Sequence, residues 1–169
     1  MIAGILYLQS SNFGIDQIPK GKVICNSIKG FSVVLFYSST KCKYSPYALQ
    51  EFKKASSGVN GVIFGVIDID RNMDTVRQSR RTLTPIDGVP YIMLYLDGVP
   101  RQIYPEEYPF TAKVMHEFVA SVTGVISRAS KNVQRPAQPQ KKKPFGSTHT
   151  ISYLSNVRRK NITYIDAEK

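Results

Sequence analysis

The run Phe31–Tyr37 (FSVVLFY) carries no charge and is dominated by β-branched and aromatic residues. An unbroken apolar run of this length suits a strand covered on both faces, as in a parallel sheet, better than a strand with one wet face. A chain built around such a strand needs a layer on each side of it, and the following residues supply one. After the polar turn Ser38-Ser39-Thr40-Lys41, the stretch Cys42–Ser56 sets Ala48, Leu49, Phe52 and Ala55 at three- and four-residue spacing. That spacing predicts an amphipathic helix, with Gly58 as its stop. Val62–Ile69 (VIFGVIDI) is a second buried-strand candidate, and its acidic residues Asp68 and Asp70 belong at a solvent-facing strand end.

Further along, a helix from about Asn72 would turn Met73, Val76 and Leu83 inward and Arg77, Arg80 and Arg81 outward, until Pro85 ends it. Tyr91–Leu96, Asp97-Gly98 and Val99–Tyr104 read as a β-hairpin with a tight primed turn. Thr111–Ile126 carries Val114, Met115, Phe118, Val119, Val122, Val125 and Ile126 on one wide stripe, a closing helix with Thr111 at its N-cap. Ile2–Leu8 is a short strand candidate, and the residues between it and Phe31 take no assignment. The order predicts an α/β fold, a mixed sheet flanked by helices.

With 169 residues, 42% of them hydrophobic, the chain can bury one ordinary core but not two large ones. No run approaches the roughly 18 apolar residues of a membrane span, and the first residues lack a basic leader and cleavage pattern, so no transmembrane segment and an intracellular location are expected. Cys25 and Cys42 are the only cysteines, which argues against a disulfide scaffold and a thiolate zinc site. Neither His116 nor His149 has a ligand-spaced companion, so no metal or other cofactor is expected.

The net charge of +11 is unevenly placed. Residues 1–126 hold 13 Lys and Arg against 10 Asp and Glu, net +3, whereas 127–169 hold 10 against 2, net +8. We therefore divide the chain into a domain at 1–126, a Pro- and Lys-rich linker at 127–147, and an extended arm at 148–169 with strand-like runs Thr148–Leu154 and Asn161–Ile165. Lys141, Lys142 and Lys143 with Arg158, Arg159 and Lys160 would neutralise phosphates, Tyr153 and Tyr164 stacking on bases, if the partner were nucleic acid. Ile151, Tyr153, Leu154, Ile162, Tyr164 and Ile165 instead favour docking onto sheet edges of other proteins, since they are poor choices for a solvated extension. A large assembly such as a virus capsid would suit such an arm, placing the protein in a virion if it is viral.

Cys42 lies just after the expected central strand, at the start of a helix, where free N–H groups and the helix dipole favour a thiolate and Lys41 and Lys43 add positive charge. Pro90 follows Val89 in Asp87-Gly88-Val89-Pro90-Tyr91 at the entrance to the hairpin. A proline there implies an edge, a bulge or a cis peptide.

The segments VVLFYSSTKCKYS, GVIDIDRN and GVPYIMLYLDGVP, in that order, resemble the thioredoxin-like family over roughly residues 30–124. The resemblance implies a mixed sheet flanked by helices and a Cys-x-x-Cys centre facing a cis-proline loop that grips extended peptide. It matches Cys42 to the attacking cysteine, Pro90 to the cis-proline and Val89 to the residue whose backbone binds substrate. Tyr44, between Cys42 and Ser45, is either a substrate-side contact that packs on a partner or a cover for the helix end. Ser45 matches the resolving cysteine, and a serine hydroxyl cannot attack a mixed disulfide, so a dithiol cycle is closed within this motif. Phe36 stands where thioredoxins bury an acid, and Lys41 where many have tryptophan. The expectation is a non-catalytic protein-binding and assembly module docking through its arm. Its rivals are a single-cysteine thiol–disulfide exchanger or isomerase using Cys42, and a nucleic-acid-associated protein. Cys25 would replace the missing resolving cysteine only if its Cα lay within about 7 Å of that of Cys42.

Overall fold

The computed structural model describes residues 4–105, 107–133 and 163–165. Its centre is β4 (Phe31–Tyr37), which pairs in parallel with β5 (Val62–Asp68) and antiparallel with β7 (Tyr91–Leu96). β1 (Leu6–Tyr7) adds in parallel outside β5, and β8 (Val99–Ile103) adds antiparallel outside β7, giving the order β1-β5-β4-β7-β8. Of the expected first strand, Ile2–Leu8, residues 4–8 are described, and among them the strand is Leu6–Tyr7. Leu8 nonetheless stays buried, its N–H on the Val66 carbonyl at 2.8 Å and its side chain over Gly65.

Period-two alternation sorts the core into two layers. Val33 and Leu35 of β4, Phe64 and Val66 of β5, and Ile92 and Leu94 of β7 meet α1 (Ser45–Ser56) and α3 (Ala112–Val133), which contribute Phe52, Ala55, Met115, Phe118 and Val119. Val34 and Phe36, with Tyr91, Met93 and Tyr95, face the other way, toward Val76 of α2 (Met73–Ser79) and a hairpin of β2 (Phe13–Ile18) and β3 (Gly21–Asn26). Each of these large side chains stabilises the fold by about 1.5–3 kcal/mol when fully buried, so the two-faced apolar run sets the architecture.

Several boundaries depart from the sequence expectations. α1 begins at Ser45 rather than Cys42, with Pro46 in its first turn, where a missing N–H costs nothing. α2 ends at Ser79 well before Pro85: the Ser79 hydroxyl donates to the Val76 carbonyl at 2.7 Å and accepts the Ile86 N–H at 2.9 Å, diverting the chain from helix. α3 runs past Ile126 to Val133, into residues assigned to the linker. Its start is as expected, with Thr111 Oγ1 accepting the Val114 N–H at 3.4 Å, while the Glu51 carboxylate of α1 takes the Ala112 N–H at 2.8 Å. The β2–β3 hairpin fills the segment that took no assignment. Among the described residues no helix is long and apolar enough to cross a membrane.

Candidate functional site

The strand-to-helix turn after β4 and the segment before β7 meet at Cys42. Its thiol is buried, 4% exposed, and donates to the Val89 carbonyl at 3.5 Å. The Val89–Pro90 peptide is cis. A thiol makes this bond and a thiolate cannot. Ser45, three residues on, is fully buried, and its hydroxyl accepts the Ser38 N–H at 3.1 Å. The Ser45 hydroxyl thus holds the turn together.

Tyr44 is half-buried at the N-cap of α1, with the Lys43 ammonium 5.1 Å from its ring centroid. Phe36 is completely buried, its ring centroid 5.6 Å from that of Phe13 and 5.8 Å from that of Tyr91. Cys25 is half-buried in β3. Burial, and secondarily the negative charge of Asp16, push its thiol above the ordinary range, which makes it a poor nucleophile.

Asp68 and Asp70 are not simply solvated strand-end residues. One Asp70 oxygen, Oδ2, accepts from the Ser38 hydroxyl at 2.8 Å, the Thr40 N–H at 2.9 Å, the Thr40 hydroxyl at 2.7 Å and the Ser39 hydroxyl at 3.3 Å. Asp68 takes the Ser39 hydroxyl at 2.7 Å. The two carboxylates therefore clamp the turn that delivers Cys42, a role invisible in sequence because the partners lie about thirty positions upstream. Burial acts to raise the Asp70 carboxyl, but the hydrogen bonds from Thr40, Ser38 and Ser39 together outweigh it and hold it below its ordinary value. A depressed folded-state value stabilises the fold above the unfolded value and loses that contribution as pH falls through the folded one. Asp70→Asn is expected to cost about 1–2 kcal/mol at neutral pH by weakening charge-assisted bonds. Denaturant melts from pH 7 to 3 should show the gap between the two proteins closing below pH about 4. A gap independent of pH would contradict this role.

The third contact at the site comes from the far end of the chain. β6 (Gly88–Val89) pairs antiparallel with β9 (Thr163–Tyr164), Gly88 opposite Tyr164 and Val89 opposite Thr163. The Ile165 N–H donates to the Asp87 carbonyl at 3.1 Å, and Ile165 packs on the core layer that contains Cys42, Val76, Ile86 and Val89. The strand expected at Asn161–Ile165 is thus present in part, laid on this chain's own edge. Lys141, Lys142, Lys143, Ile151, Tyr153, Arg158, Arg159, Lys160 and Ile162 lie outside the described residues, as do the side chains of Thr163 and Tyr164. Among the described residues, no cluster of three or more His, Cys, Asp or Glu side chains could hold a metal ion.

A mixed sheet of this order, with helices on both faces and a helix start beside the Val89–Pro90 segment, is a thioredoxin-like fold, and solved structures agree. Human ERp44 in its zinc-bound form superposes with a TM-score of 0.50 at 18% identity over 70% of this chain, and its form II with 0.52 at 20% over 72%. This chain spans only about a third of ERp44, 31% and 30% of the two chains. A point mutant of thioredoxin from Halobacterium salinarum gives 0.50 at 14% identity, covering 71% of this chain and 91% of its own. At these identities the likeness shows the fold alone. Among curated proteins, the uncharacterized protein 196R of Invertebrate iridescent virus 6 is 26% identical over 125 residues, 70% of this chain and 71% of that one. No family model matches the chain.

Proposed function

We propose that this chain is a thioredoxin-fold protein-binding module without a dithiol cycle, which takes an extended segment of a partner protein as an added strand along Asp87–Val89 and serves in a larger assembly. The observation that carries the reading is the β6 edge itself, which bears an antiparallel strand beside the Cys42 thiol. Main-chain bonds to such an edge supply affinity, and an apolar recess beside it supplies selectivity. Redox turnover is disfavoured by three features: the Cys42 thiol is turned onto the Val89 carbonyl, the Ser45 hydroxyl is engaged by Ser38, and Phe36 fills the place of a proton-transferring acid. The arm beyond residue 147, with its basic clusters and apolar runs, extends the contact to further proteins of the assembly.

In a dithiothreitol-driven insulin-reduction assay the protein should give no rate above buffer, and Cys42 should react once, without turnover, with a glutathione mixed disulfide. Sustained turnover that vanishes in Cys42→Ala would replace this reading with the single-cysteine exchanger.

A further inference from the structure

The Asp87–Val89 edge is short, and one strand saturates it. In this structure that strand is the chain's own: Thr163 and Tyr164 are paired across from Val89 and Gly88, and the Ile165 N–H is bonded to the Asp87 carbonyl. Two further contacts fix Ile165 beyond the ladder. Its side chain sits on the core layer beside the site, and its carbonyl accepts from Nη2 of Arg80 at 3.4 Å. Arg80 belongs to the turn after α2, and its buried Nε has no hydrogen-bond partner among the described residues, so its polar contact at this edge is the one to the Ile165 carbonyl.

We propose that Thr163–Ile165 is an internal competitor for this edge, so that a partner strand binds only by displacing it, and that the segment defines the ligand: an uncharged strand with a β-branched aliphatic residue at the Ile165 position and a free carbonyl for Arg80. This rests on the peptide-binding reading above and extends it to regulation and specificity. Mutual exclusion follows from geometry, because an edge has one row of N–H and C=O groups to offer. Tethering makes the internal strand hard to displace, since a covalently linked ligand acts at an effective concentration on the order of millimolar. A partner then needs a better anchor than isoleucine, several contacts, or a second docking point that draws the arm away. The aliphatic requirement follows from the apolar core layer on which Ile165 packs, where a charged side chain carries a desolvation cost that isoleucine does not.

The test uses the full chain in three forms: unaltered, Ile165→Asp and Ile165→Pro. The aspartate removes the apolar anchor and the proline removes the N–H bonded to Asp87. A fluorescein-labelled peptide with the sequence of residues 161–167 (NITYIDA) serves as probe in fluorescence anisotropy, and amide exchange of Ile165 is followed by NMR in the unaltered protein. We expect Ile165 to be protected independently of protein concentration, and both variants to bind the probe at least tenfold more tightly than the unaltered chain. An unprotected Ile165 amide, or protection that grows with concentration as pairing between copies would require, overturns the internal competitor. Equal probe affinity in all three proteins does so as well. A protected amide with no probe binding in either variant overturns the ligand role of the segment and, separately, the peptide-binding reading, leaving a purely structural closing strand.

Discussion

Phe36→Ala is expected to lower the stability of the domain by about 3–5 kcal/mol, enough to threaten folding at physiological temperature. Phe36 is wholly enclosed near the C-terminal end of β4, opposite Tyr91 on one side and Ile67 on the other, and its ring meets Phe13 of the hairpin. Truncation removes the transfer energy of the ring and leaves a cavity that β4, paired on both edges, cannot collapse to fill. The aromatic pairs with Phe13 and Tyr91 add about 0.5–1.5 kcal/mol each. Phe36→Leu keeps most of the volume and should cost less than half as much. Urea denaturation of both variants checks the size of the effect. The alkylation rate of Cys42 in Phe36→Leu checks its meaning, because a packing residue leaves that rate unchanged and a residue tuning the thiol does not. A loss under about 1 kcal/mol for Phe36→Ala would show that the site is not a close-packed core. An aspartate at this position would lie among aromatic rings and be driven to its neutral form.

Most of the architecture around Phe36 was readable from the chain. β4, β5, the β7–β8 hairpin and α3 announce themselves because each buries residues at one clean period, two faces for β4 and β5 and one stripe for α3. The β2–β3 hairpin does not. Val23 and Ile24 are adjacent and both buried, while Gly14, Ile15, Asp16 and Gln17 are all exposed, so neither strand alternates. Its turn, Pro19-Lys20, lacks the asparagine–glycine signature of a primed hairpin. At the site, the meeting of Cys42 with Val89 followed from the resemblance. The Asp70 clamp and the return of Ile165 to Asp87 did not, because both join residues far apart in sequence through polar and main-chain bonds that leave no periodic trace. The arm's apolar residues pointed to strand addition, but nothing in their composition said that the first edge available belongs to the same chain.

Gly98→Ala should be the second costly change, at about 2–4 kcal/mol, and for a reason unrelated to side-chain loss. Asp97 and Gly98 both have positive φ, 50° and 80°, as a primed turn between β7 and β8 requires. An alanine in the left-handed region costs roughly 1–2 kcal/mol through its Cβ alone. Here the Cβ would also land on the main-chain carbonyl oxygen of Asn26, an atom fixed in β3. Relief demands moving the turn away from the hairpin, which breaks the bond from the Asn26 N–H to the Gly98 carbonyl at 2.9 Å. Asn26 in turn holds Ser32 and the Ile28 N–H through its side chain, so the displacement would reach the start of β4. Gly30→Ala is the matched control. Gly30 has a similar φ of 72°, but a Cβ there meets nothing, so only the conformational part of the cost remains. Urea melts of the two variants should therefore differ by about 1 kcal/mol or more, with amide exchange at Asn26 accelerated in Gly98→Ala alone. Equal losses would mean that the β2–β3 hairpin yields freely to the turn, and that the layer covering Phe36 is not anchored through Gly98.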